Sequence, residues 1–115
     1  MSKGYVWFAL NNSTTDYIEL SKELAKSIKK FNRQSQVCVI TDKPVEDDLF
    51  DFVKVLEQDD SSGQEWKLSN EYKVFNLSPF THTIKLEADM LFTQNTEWWW
   101  NYLWQHDQVF SYHCR

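Results

Sequence analysis

The sequence predicts an α/β domain, a three-layer sandwich built around a mainly parallel sheet. Three observations carry this. Short apolar runs alternate along the chain with segments of helical period. The first runs, Gly4–Leu10 and Val37–Ile40, are continuously apolar, as strands buried on both faces are. Polar and acidic residues gather just after the runs, at Asn11/Asn12, Asp42 and Glu87/Asp89. With 115 residues the chain suffices for one domain with one core and not for two.

Taken in order, Gly4–Leu10 (Gly-Tyr-Val-Trp-Phe-Ala-Leu) reads as the first strand and Asn11–Thr15 as a polar loop. Asp16 or Thr15 caps the helix that follows. Its apolar stripe is Tyr17, Leu20, Leu24, Ile28 and Phe31. Lys22, Lys26, Lys29 and Lys30 lie off that stripe, and the cationic end suits the helix dipole. Asn32–Gln36 is a turn, and Val37–Ile40 a second strand ending at Thr41-Asp42-Lys43-Pro44. A short helix is expected within Val45–Phe52 and a third strand over Val53–Leu56. Asp59–Gly63 is the clearest loop. Trp66–Leu77 has helical spacing, and Pro79 enforces its end. Thr83–Phe92 reads as a strand, Thr96–Trp104 as a Trp-rich helix and Val109–His113 as a last strand. Neither an internal repeat nor a low-complexity segment occurs.

Composition excludes several functions. Only Gly4 and Gly63 are glycines, so a Gly-rich phosphate loop is absent. Phosphate binding would need a metal, side chains or a helix N-terminus. The net charge of −5 provides no basic footprint for nucleic acid, despite 17% aromatic residues. Cys38 and Cys114 are too far apart in sequence to form a metal or redox motif, and both are expected reduced. Met1-Ser2-Lys3-Gly4 leads straight into a strand-like run, so no secretory leader and a cytoplasmic location are expected. No apolar stretch approaches the ~20 residues that cross a bilayer.

The most informative segment is Thr-Ile-Lys-Leu-Glu-Ala-Asp-Met-Leu-Phe, residues 83–92. Glu87 and Asp89 flank the small Ala88, and residues i and i+2 of a strand point to one face. At a strand end the two carboxylates can reach a common point. Hard oxygen ligands of this kind suit Mg²⁺ or Mn²⁺, which in turn holds a diphosphate. A strand running out into an acidic turn gives the same triplet. In parallel α/β sheets, however, ligands sit at the carboxyl ends of strands, where Asn11/Asn12, Asp42 and Glu87/Asp89 all fall.

This order of segments resembles the nucleotide-sugar-binding half of a GT-A glycosyltransferase, in the glycogenin/galactosyltransferase-like group and its phage-encoded relatives. Leu86-Glu87-Ala88-Asp89-Met90-Leu91-Phe92 is similar to that group's Leu-Asp-Ala-Asp-x-Leu-Phe segment. The resemblance implies a GT-A, Rossmann-like fold and a metal-dependent transferase that binds a nucleotide-diphospho-sugar, a UDP-sugar first, through Mn²⁺ or Mg²⁺. It implies Asp89 as the direct metal ligand and Glu87 in the first acidic position, where Asp is common. It implies Asn11 and Asn12 near the nucleotide and Tyr17 stacked on the base, although Tyr17 also begins the helix stripe. Asp42 would meet base or ribose, and Lys73, or less directly Lys67, would face the diphosphate.

Two departures shape the alternative. Such enzymes run to more than twice this length, with an acceptor site and a histidine ligand after the segment seen here. His113 has no feature that makes it that ligand. A fragment lacking its C-terminal half is therefore expected, with that half or a second copy as partner. Trp98, Trp99, Trp100 and Trp104 cannot all be buried in one small domain. Two packed on the sheet and the others exposed or against a missing half is the expected arrangement. Sugar stacking is the other reading of them. A non-catalytic interaction module derived from a transferase half is the alternative to an enzyme.

Overall fold

The computed structural model describes residues 2–56 and 73–103. Four strands, β1 (Lys3–Ala9), β2 (Gln36–Thr41), β3 (Phe52–Val55) and β4 (His82–Lys85), form one sheet in the order β3-β2-β1-β4. All three pairings are parallel, with Val6 opposite both Cys38 and Lys85, and Thr41 opposite Val55. The helices are α1 (Tyr17–Phe31), α2 (Val74–Leu77) and α3 (Trp98–Leu103). An α/β fold is thus shown. The expected loop at 59–63, the first part of the helix expected from Trp66, the strand at 109–113, and Lys67, Trp104, His113 and Cys114 lie outside the described residues.

β1 and β2 are continuously apolar because both of their faces are covered. Tyr5, Trp7, Ala9, Val37 and Val39 pack with Leu24, Ala25 and Ile28 of α1 and with Trp100 of α3. Val6, Phe8, Leu10, Cys38 and Ile40 pack on the opposite face with Val74 of α2 and Phe80. Every one of these strand residues is at most 8% exposed, so the uniform apolar pattern is what the environment demands. Desolvation pushes the Cys38 thiol up to about 11, the nearby Lys54 opposing the shift only in part.

Three expectations are corrected. The buried face of α1 is Ile18, Ser21, Leu24, Ala25 and Ile28, whereas Leu20 is 38% exposed. The cause is Trp7. Its indole N–H, fully buried, donates to Ser21 Oγ at 2.8 Å, and Ser21 Oγ donates to the Tyr17 carbonyl at 2.6 Å. A buried indole requires such a partner, so Ser21 joins the buried face, while Leu24 and Ile28 of the expected stripe stay buried and Tyr17 and Phe31 pack against the same cluster.

The helix expected within Val45–Phe52 does not form. Asp47 Oδ1 accepts from the Leu49 N–H at 2.9 Å, and its carbonyl accepts from Phe50 N–H at 3.1 Å, which gives a turn. Asp51 then fixes the start of β3 by accepting from Val37 N–H at 2.8 Å and Lys29 Nζ at 2.7 Å. Side-chain acceptors have displaced the helical ladder.

The strand expected over 83–92 ends at Lys85. Leu86 N–H still donates to the Val6 carbonyl at 2.8 Å, but Met90 N–H donates to the Glu87 carbonyl at 3.1 Å and closes a turn. Leu86, Ala88 and Phe92 bury themselves in the α1-side cluster. Buried apolar spacing is the same whether the backbone pairs in a sheet or folds over a helix.

Candidate functional site at the carboxyl edge

The strand order reverses between β1 and β4. From β1 the chain passes to β2 and then β3 on one side, and returns to place β4 on the other. In an open parallel sheet the crevice outside the strand ends at such a switch point is where ligands bind. The Asn11–Asp16 loop follows β1 there, and the Glu87–Met90 turn follows β4. The fold therefore assigns both segments to one edge, with Asp42 after β2 beside them.

The β1–α1 loop is organised by its own side chains. Asn12 Oδ1 accepts from the N–H groups of Thr14 and Thr15 at 3.0 and 2.8 Å. Asn11 Oδ1 accepts from the N–H groups of Tyr17 and Ile18 at 2.7 and 3.3 Å, while its Nδ2 donates to Asp16 at 3.1 Å. Asp16 is the N-cap, accepting from Ile18 and Glu19 N–H at 3.1 and 3.2 Å. The Glu19 N–H chiefly, with Asn11 and Ile18, holds the Asp16 carboxyl below the usual carboxylate range, and Lys43 adds to this through its charge. Leu20 N–H donates to the Asp16 carbonyl at 3.3 Å. All four of the first amides of α1 are thus satisfied within the chain. This helix end is not a vacant cradle for phosphate, and with no Gly-rich loop present a bound phosphate would depend on a cation.

The acidic turn differs from that loop. Ala88 is 6% exposed and anchors the turn in the core, whereas Glu87 and Asp89 are both exposed. Lys85 Nζ donates to Glu87 Oε1 at 2.9 Å. Asp89 accepts no hydrogen bond and forms no ion pair among the described residues. Hard carboxylate oxygens on solvent-facing positions fit Mg²⁺, which takes one or two carboxylates and completes its shell with water and phosphate oxygens. Asp89 is available for this role. Glu87 would exchange Lys85 for the cation, and an exposed ion pair of this type is worth only about 0–1 kcal/mol. Among the described residues there is no group of three or more His, Cys, Asp or Glu side chains placed to hold a metal.

Of the remaining candidates, Tyr17 and Asp42 follow β1 and β2 at this edge. Tyr17 is partly buried and packs against the α1-side core cluster. Asp42 is exposed in the turn after β2, where Thr41 Oγ1 donates to the Lys43 carbonyl at 2.6 Å. Lys73 is partly buried at the start of α2. Among the described residues, the cation bonded to the acidic turn is Lys85, which the sequence reading passed over. Its signal was present, because Lys85 and Glu87 have the i, i+2 spacing that puts residues on one side of an extended chain.

No protein-family model matches the chain, and no curated protein does so either. Among the described residues no helix is long and apolar enough to cross a membrane.

Proposed function

We propose that the chain is a metal-dependent glycosyltransferase-type domain that binds a nucleotide-diphospho-sugar at the carboxyl edge of its sheet. The observation that supports this most is the exposed Glu87-Ala88-Asp89 turn beside the strand-order reversal, at the same sheet edge as a helix end whose amides are already bonded. In this reading Asp89 and Glu87 hold Mn²⁺ or Mg²⁺. When bound, the cation neutralises charge that develops on a diphosphate leaving group. Asn11 and Asn12 shape the loop against which the nucleotide lies, and Asp42 and Tyr17 stand near it. Lys73 and Lys85 are the cations on the chain that would pair with phosphate. The GT-A three-layer arrangement and a cytoplasmic setting belong to the same proposal.

The test is calorimetry with UDP and Mn²⁺ on the wild type, Asp89→Ala and Glu87→Ala. Binding by the wild type that Asp89→Ala abolishes and Glu87→Ala weakens is the expected result. Equal binding by all three removes the metal-site assignment.

A second reading, a non-catalytic assembly module, is favoured by one observation. Leu91 is 63% and Trp98 59% exposed, large apolar side chains in solvent. Trp99 is partly buried and contacts the Phe92 ring at 5.8 Å, and Trp100 is 6% exposed, so the cluster divides as expected for a partly buried helix. Size-exclusion chromatography of wild type against Trp98→Ser distinguishes the readings. Self-association that the substitution removes supports the module.

A further inference from the structure

The acidic turn is closed at both ends by one residue. Met90 N–H donates to the Glu87 carbonyl at 3.1 Å, and Glu87 N–H donates to Met90 Sδ at 3.4 Å. The backbone of Glu87 is thus held from both sides by Met90. The second of these bonds ends on a thioether, a weak acceptor, and Met90 is 38% exposed. Ala88, within the turn, is fixed in the core. The turn that presents Glu87 and Asp89 therefore has an anchored centre and a closing contact that solvent reaches.

We propose that Met90 is an oxidation site that switches this turn, with a hydroperoxide as its co-substrate. The sulfur lone pair attacks the outer peroxide oxygen. An S–O bond forms as the O–O bond breaks, and the proton passes to the departing oxygen, which leaves as an alcohol, or as water from hydrogen peroxide. Sulfur is oxidised by one electron pair and the peroxide is reduced by it. The product is a sulfoxide, polar and chiral at sulfur. Neither epimer keeps the present bond. In one, the new oxygen takes the lone pair aimed at Glu87 N–H. With nitrogen and sulfur only 3.4 Å apart, that oxygen has no room at the usual N···O distance of about 2.9 Å. In the other, the lone pair left to the amide belongs to a sulfur made electron-poor by its oxygen. Glu87 N–H parts from Met90 and the turn widens about Ala88. Among the described residues the competing sulfur is Cys38, which is fully buried, its thiol kept protonated by a pKa pushed up to about 11. A buried protonated thiol is inert, so the oxidant reaches Met90 first. Sulfoxide reductases, one for each epimer, return the thioether.

The opening of the turn stands on this geometry alone, and only its effect on cation binding rests on the proposed function. The test treats the full chain with a slight excess of hydrogen peroxide. Peptide mass spectrometry should find one added oxygen on Met90 while Cys38 is unmodified. Amide NMR should show Glu87 and Met90 moved, with hydrogen exchange at Glu87 quickened several-fold, and the two reductases should reverse both changes. Met90→Leu removes the acceptor without any oxidant, so its Glu87 exchange should be fast from the start and unchanged by peroxide. Oxidation of Cys38 ahead of Met90, or a Met90 sulfoxide that leaves the Glu87 amide unmoved, overturns the proposal. Mn²⁺ titration of the same samples should show affinity falling several-fold on oxidation. A wild type that binds no Mn²⁺ removes the proposed function alone, because the Glu87 readout needs no metal.

Discussion

At the amino edge of the sheet, Tyr5, Asn32 and Ser35 bond to residues 62 to 91 positions away, through Thr96 and Glu97. At the carboxyl edge, Asn11 bonds to described partners five to seven positions away, and Asn12 Oδ1 accepts from amides two and three positions away. Long-range bonds hold the segment after β4 against the end of α1, so the amino edge fixes how the elements are assembled. Among the described residues, local bonds from Asn11, Asn12 and Asp16 shape the β1–α1 loop. Such loops can exchange a side-chain partner for a ligand without disturbing the sheet, which is what a binding edge requires.

The sharpest way to break the comparison is at Trp100. It is 6% exposed, and its ring lies 5.5 Å from that of Tyr5 in the α1-side core. Trp100→Ala should cost about 3–5 kcal/mol in urea unfolding, whereas Leu91→Ala at the exposed end of the same segment should stay within about 0.5 kcal/mol. Similar costs for the two would mean that the segment is not anchored as described.

A smaller effect is expected at the carboxyl edge. Asn11→Ala removes the acceptor for two amides of α1, and loss of a helix cap costs about 0.5–2 kcal/mol. The loss should be confined locally, with hydrogen exchange quickening at Tyr17 and Ile18 and not at Thr96. Exchange that quickens at both edges would deny their separation.

How much was legible in the sequence follows the same division. The Asp16 cap, the fully buried β1 and β2, and the position of the acidic turn were readable because they depend on neighbours in sequence. The burial of Ser21 on α1 was not, because it goes with Trp7 reaching Ser21 across the core. The early end of β4 was hidden for a related reason. Leu86 and Ala88 bury as strand residues would, yet they bury into the cluster beneath α1. The Asn32–Thr96–Tyr5 chain of bonds carried no signal at all, since its members are ordinary polar residues separated by 64 and 91 positions. Within the acidic turn, Glu87 and Asp89 were proposed from a triplet, and Lys85, two residues before Glu87, was passed over although its spacing carried the signal.

The smallest effect is electrostatic and belongs to the carboxyl edge. Asp16 has a folded pKa below its ordinary value, held there first by the Glu19 N–H. Its contribution to stability is therefore complete above the unfolded value of about 3.9 and is lost as pH falls through the lowered folded value. Carboxyl-detected NMR should find Asp16 titrating below the ordinary aspartate value of about 3.9. An Asp16 that titrates at that value would remove the cap from the account.

The central claim is that Glu87, Asp89 and the β1–α1 loop form one cation-dependent site. Paramagnetic broadening by Mn²⁺ tests it directly, because amides close to the bound ion lose intensity at substoichiometric metal. With UDP present, the amides of Glu87–Met90 and of Asn11–Thr15 should broaden together, and Asp89→Ala should restore both sets. Broadening centred instead on the acidic Glu46–Asp48 stretch, or a response at Glu87–Met90 without one at Asn11–Thr15, would contradict the claim.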